Sequence, residues 1–160
     1  MAKHILMKKF LTTLMLCLLF CTMQSQSFTE KSLHGLWKIA AYNGGWVNID
    51  FIANTANLTE QAATLNPLHT LARQQESANR QLKEMRDRCL YFAPYSWIFY
   101  IGPVGAPSQD KYTLSSNAGK HYIDVDNTGP DEIYIKNGRL YWTTILGDMV
   151  MTTVYTKEQE

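Results

Sequence analysis

Cysteine is scarce: of three in 160 residues, Cys17 and Cys21 lie in or beside an N-terminal apolar run, and only Cys89 stands beyond it. One cysteine makes no internal disulfide, so the domain that follows must rely on its core. Metal-ligand spacing is missing too. His34, His69 and His121 are scattered, without the i, i+4 spacing or the neighbouring cysteines of a zinc site. No serine stands in a nucleophile elbow and no carboxylates are paired by position, so no acid, base and nucleophile set can be named. The sequence therefore reads as a non-enzyme with no catalytic residue, no metal and no cofactor. It also lacks an excess of positive charge. Fifteen Lys and Arg against 14 Asp and Glu leave no electrostatic footprint for nucleic acid.

A membrane-length apolar run is absent as well. Residues 10–20 are apolar, but a helix needs about 20 such residues to cross the hydrocarbon. Lys8 and Lys9 before the run, and Ser25-Gln26-Ser27 after it, make residues 1–27 a secretory signal peptide of bacterial type. The expected mature domain is 28–160, exported to the periplasm or secreted. Cleavage would remove Lys3, Lys8 and Lys9 and no acid, leaving 12 cations against 14 acids. Cys21 offers a second reading as a lipid anchor, which alone would tie the chain to a membrane. Phe20 argues against it, since the residue before an acylated cysteine is small. Cys89, on an apolar stripe, reads as a small buried hydrophobe rather than a reactive thiol.

What the chain has in quantity is alternation. Over 111–156, short segments follow one another with little but tight turns between them: Tyr112 and Leu114, then Ile123 and Val125, then Ile133 and Ile135, each alternating with polar residues. Asn137-Gly138 is the strongest hairpin signal, because a type I′ turn needs positive φ at both central residues. Leu140, Trp142 and Thr144 continue the pattern, and a last strand follows Gly147-Asp148. Upstream, 90–92 and 97–101 are two strands around a turn at Pro94, since proline is barred from a central strand. With a first strand through Trp37, Ile39 and Ala41, the expected fold is mainly β, an up-and-down antiparallel barrel of eight strands, or nine if 47–51 adds one. Eight is the number at which a barrel is just wide enough to be filled by side chains or to hold one small ligand.

Gly35-Leu36-Trp37, just after the leader, resembles the G-x-W that opens the first strand of lipocalins and of the small bacterial lipocalin-like (calycin) domains, and Lys111-Tyr112-Thr113-Leu114 is similar to their mid-barrel strand. The resemblance covers roughly 33–43 and 89–157. It implies a barrel with Trp37 packed at the closed end and a small apolar ligand bound inside. Two features of the family are missing here: the arginine after the last strand that covers the tryptophan, and the T-D-Y motif.

Between these parts, 57–89 is expected to be a helical insertion. Asn57 to Glu60 offers a capping signal, and Asn66-Pro67 restarts a helix with asparagine as cap. From there Leu68, Leu71, Gln75, Ala78, Leu82, Met85 and Cys89 form one stripe on a helix over 67–89. Such a helix serves as a lid over the barrel mouth, as a docking or dimer surface, or as cover for the outside of the barrel, the commonest use of an amphipathic helix.

The face assigned inward carries Trp37, Ile39, Phe92, Trp97, Phe99, Tyr112, Leu114, Ile123, Val125, Ile133, Ile135, Leu140 and Trp142. Trp37, Phe92, Trp97, Phe99, Tyr112 and Trp142 are the candidate ligand-binding lining, with Tyr112 as a polar handle. The same residues would equally make a solid core. The chain thus reads as an exported binding protein for a small apolar ligand. The alternative is an envelope interaction or structural module with a filled barrel that works through its helix. Asp124 to Gly129 resembles the start of a calcium loop, but its closing position falls on Ile135 rather than glutamate, which leaves a polar hairpin turn.

Overall fold

The computed structural model describes residues 28–65, 67–103 and 105–159. The expected leader and Cys21 lie outside the described residues, as does the expected cap Asn66. Ten strands form one antiparallel sheet: β1 (Gly35–Asn43), β2 (Val47–Asp50), β3 (Thr55–Leu58), β4 (Cys89–Ala93), β5 (Trp97–Ile101), β6 (Ser108–Asn117), β7 (Lys120–Val125), β8 (Asp131–Lys136), β9 (Arg139–Leu146) and β10 (Met149–Lys157). Strands β4 to β10 are a meander in chain order. β1 pairs with both β10 and β4, and so closes a ring of eight.

The count of eight is as the alternation predicts, and the two remaining strands leave the ring. The first half of β1 pairs with β4, through Gly35 to Lys38, while its second half turns to β2 at Ala41 to Asn43. The pairing with β10 shifts register between Ile39 and Ala41, a bulge that bends the strand at the point of departure. β2 and β3 therefore extend the wall as a flap. The Asn57 to Glu60 capping signal is overturned: Asn57 and Leu58 end β3, paired with Asn48 and Val47.

Tight turns set the register where the sequence says they should. Asn137 (φ 52°) and Gly138 (φ 71°) both sit in the left-handed region between β8 and β9. Nothing lies within 4 Å of a Cβ built on Gly138, so its cost of substitution is conformational alone. Gly138→Ala is expected to lower stability by about 1 kcal/mol, read as a shifted urea midpoint with an unchanged slope. Pro94 lies in the β4–β5 turn, where Tyr95 and Ser96 take positive φ.

One end of the barrel is closed. A single-turn helix, α1 (Glu30–Leu33), precedes β1 and drives Leu33, fully buried, among Trp37, Leu90, Phe92, Ile98, Tyr112, Ile123, Ile133 and Leu140. The Leu33 carbonyl accepts from Trp37 Nε1 at 2.6 Å, and Glu30 Oε1 accepts from the Ser96 backbone N–H at 2.7 Å. The plug is thereby tied to β1 and to the β4–β5 turn. Phe28 stacks on His121 beside it, with ring centroids 4.8 Å apart.

The insertion is shorter than the stripe implies. After a turn of helix, α2 (Ala62–Leu65), the long helix α3 runs only Leu71–Met85, with Thr70 as its cap. Leu68 is 91% exposed and Cys89 begins β4, so the stripe's two ends are not helical. Of the stripe, Ala78 and Leu82 are buried as expected, while Gln74 takes the inward place expected of Leu71 and Gln75. Ala78 and Leu82 pack with Ile39, Val47, Ile49, Phe51 and Ala56 in a second cluster. Gln75 Nε2 ties the helix to β3 by donating to the Ala56 carbonyl at 2.7 Å. This is the face of the flap continuous with the barrel's interior: Ile49 pairs across from Tyr42, and Tyr42 from Thr153, a lining residue of the lumen. The helix covers its own domain, as amphipathic helices do, but it lies on the inner side at the mouth and not along the outside.

Candidate functional site

Cross-strand pairing decides which side chains face the lumen, because directly opposed residues share a face. Ile98, fully buried, opposes Phe92, and Tyr100 opposes Leu90. Ile98 and Tyr100 are thus the inward residues of β5. Trp97 and Phe99 point outward, one residue out of phase with the expected assignment. Lys111 Nζ lies 5.2 Å from the Trp97 ring centroid, and Phe99 packs against Tyr91 on the outer surface at 6.1 Å. In 97–101 every residue is apolar or aromatic, so alternation carried no signal there.

Trp37, Phe92 and Tyr112 do face inward, in the filled end. Phe92 and Tyr112 meet edge to face, with centroids 5.5 Å apart. Tyr112 is 2% exposed, and its hydroxyl makes no hydrogen bond among the described residues. Burial, and secondarily the charge of Glu30, holds that phenol well above its usual range. It is a core residue and not a handle within a cavity.

The question of filled barrel or cavity therefore divides along the axis. Towards α1 the barrel is solid; towards the other end, between the β5–β6 loop, the starts of β6 and β8, the later half of β9, the middle of β10 and the end of α3, lies a cavity of about 930 Å³. Its wall includes Ile39, Leu90, Tyr100, Trp142 and Tyr155, its polar positions are Ser108, Asp131, Thr144 and Thr153, and Lys83, Glu84, Met85 and Arg88 form the helical side. Of the six candidates named from the sequence, only Trp142 is brought here.

The best-ordered polar feature is Asp131. It opposes buried Ile123, which directs it inward. Its Oδ2 accepts from Trp142 Nε1 at 2.6 Å and from Thr144 Oγ1 at 2.9 Å. The indole is thereby held in the cavity wall. Tyr100 has its phenol pushed up to about 12, by burial first and then by the negative charges of Asp110 and Asp131. Burial likewise raises Tyr155, so both phenols are neutral hydrogen-bonding groups across the physiological range.

Among the described residues no group of three or more His, Cys, Asp and Glu could hold an ion. Asp124 caps its own turn, accepting from the Gly129 N–H at 3.1 Å. Compared with protein-family models and with curated proteins, the sequence matches none. Among the described residues no helix is long and apolar enough to cross a membrane.

The lining positions that sequence reasoning missed were Tyr100, Asp131, Thr144, Thr153 and Tyr155. A signal for two of them, Asp131 and Thr144, was present. The inward stripes Ile135, Ile133, Asp131 and Leu140, Trp142, Thr144 both turn polar at the same end, which marks where the lumen stops being core.

Proposed function

We propose that this chain is an exported, lipocalin-like binding protein that holds a small, largely apolar ligand in the barrel cavity and does no chemistry on it. The observation that carries the reading is the cavity, whose volume falls in the range of small-molecule sites, about 300–1,000 Å³. Its make-up supports the same conclusion, with aromatic and aliphatic walls and a few oriented polar groups. The resemblance gains support from Trp37 at the closed end. Lys157 Nζ lies 5.4 Å from its ring centroid, a cation over the tryptophan where the family has arginine.

Native mass spectrometry of the full chain, expressed with its own N-terminus and recovered from the host's exported fraction, tests both halves. The expected species begins at Phe28 and carries extra mass that is lost on unfolding. A bare mass, together with tryptophan fluorescence unmoved by fatty acids, haem and retinoid-like compounds, would end the binding proposal. A chain retaining its leader in the cytoplasm would end the export proposal.

An envelope interaction module, or a homodimer, working through the 67–89 helix has less support. Of its apolar residues, Ala78 and Leu82 are already covered by the chain's own flap, Leu68 and Leu71 stay exposed only at its N-terminal end, and the rest of the exposed face mixes Arg73, Glu76, Arg80 and Glu84.

A further inference from the structure

The charge of the lumen narrows the class of ligand, and the step rests on the binding reading above. Asp131 has neutral donors on one oxygen only; the two bonds orient the carboxylate without compensating its charge. Asp110 opposes fully buried Ile98, so a second carboxylate is directed to the interior two strands away. Among the described residues neither Asp110 nor Asp131 forms an ion pair; the two salt bridges join His34 to Glu30, beside the plug, and Lys120 to Glu132, on the opposite face of β8 from Asp131. Both carboxylates lie close enough to Tyr100 to raise its phenol. An aromatic wall offers ring faces of negative potential, which attract a cation and not an anion.

The cations that touch the cavity, Lys83 and Arg88, are exposed, with Glu84 between them; the charge of Arg88 reaches the Tyr155 phenol as those of Asp110 and Asp131 reach Tyr100. Solvent and salt screen charges in such positions, whereas a charge set in a low-dielectric wall is screened much less. The inner carboxylates therefore decide the sign of the site.

We propose that the ligand is an organic cation, an amine on an apolar body, with its ammonium group at the unoccupied oxygen of Asp131 and its body against Tyr100, Trp142 and Tyr155. The amine supplies the countercharge that the chain leaves out, and the rings supply both apolar contact and cation–π attraction.

Three compounds with one body and different heads test this by calorimetry on the intact protein near neutral pH: phenylbutylamine, phenylbutanol and phenylbutanoate. The amine is expected to bind at least about tenfold more tightly than the alcohol, the worth of one charge-assisted contact, and the carboxylate more weakly than either. Asp131→Asn keeps an acceptor for Trp142 and Thr144, so the wall stays in place. On that variant the amine should bind no better than the alcohol. Asp110→Asn, further from the bound head, should narrow the preference without abolishing it. Equal affinity of amine and alcohol for the unaltered protein, or an amine preference that survives Asp131→Asn, overturns the inference while leaving a binding cavity intact. A carboxylate that binds best and weakens on Arg88→Gln assigns an anion to the rim and overturns it too. Failure of all three to bind removes this inference and the cavity reading together.

Discussion

Trp37→Ala is expected to lower the stability of the domain by about 3–5 kcal/mol, the range for deleting a large buried aromatic side chain. Three losses combine there. Trp37 is 1% exposed, so its whole ring is removed from the first cluster. The Leu33 carbonyl loses its 2.6 Å donor in a buried setting, which by itself costs about 1–3 kcal/mol when water cannot replace it. Lys157 loses the ring beneath it, a contribution of about 0.5–1 kcal/mol at an exposed site. Equilibrium urea unfolding reads the sum. Trp37→Phe separates the terms: it keeps most of the apolar area and removes the indole N–H, so it should fall about midway between the parent and alanine variants. Lys157→Met should cost under about 1 kcal/mol, because the methylene stem still covers the ring. If Trp37→Phe were as stable as the parent, the plug's hydrogen bond would be contributing nothing. α1 would then be anchored by Leu33 and by the bond from the Ser96 N–H to Glu30.

That prediction concerns the part of the molecule the sequence makes plain. Alternation from Tyr112 to Trp142 identifies four strands and their inward faces, because each strand has one wet face, and two residues of opposite character mark its phase. Asn137-Gly138 fixes a hairpin for the steric reason that only such residues accept left-handed backbone cheaply. Where both faces are apolar, as in Trp97 to Ile101, phase is invisible. It is set by pairing with Phe92 and Leu90, a non-local fact. β3 was hidden for the opposite reason. Thr-Ala-Asn-Leu has little intrinsic strand preference and forms only because β2 offers an edge and α3 a cover. The site was the least legible part, since an inward polar residue reads as the end of a strand until closure of the ring shows that several such ends meet. Asp131, Thr144 and Thr153 are individually ordinary residues on three strands, and it is the pairing of β9 with both β8 and β10 that makes them one wall.

Placing a charge under α3 is the second large perturbation, and the one that bears on the cavity. Ala78 is fully buried between the helix and the flap, among Ile39, Val47, Ile49, Phe51, Ala56 and Leu82. Ala78→Asp puts a carboxylate there with no cation in that cluster to meet it. An unpaired buried charge costs about 3–5 kcal/mol, more than the mixed packing of one amphipathic helix is expected to withstand. The ring of eight strands does not depend on that contact: its first cluster, around Trp37, lies at the other end, and its pairings run from β4 to β10 and back to β1. The expected outcome is local. Hydrogen exchange should lose protection in β2, β3 and α3 while β6 to β9 keep theirs. Ala78→Gly, with no charge, should cost only about 1 kcal/mol through helix propensity. Arg80→Ala, on the exposed face, should move stability by less than about 0.5 kcal/mol. Because Lys83 to Arg88 form one side of the cavity, the released helix would also open the mouth, and ligand captured by the parent protein should be held weakly or lost. Uniform loss of protection across all ten strands would mean that flap and barrel unfold as one unit. Retention of ligand by a variant whose helix exchanges freely would mean that the barrel wall binds without it.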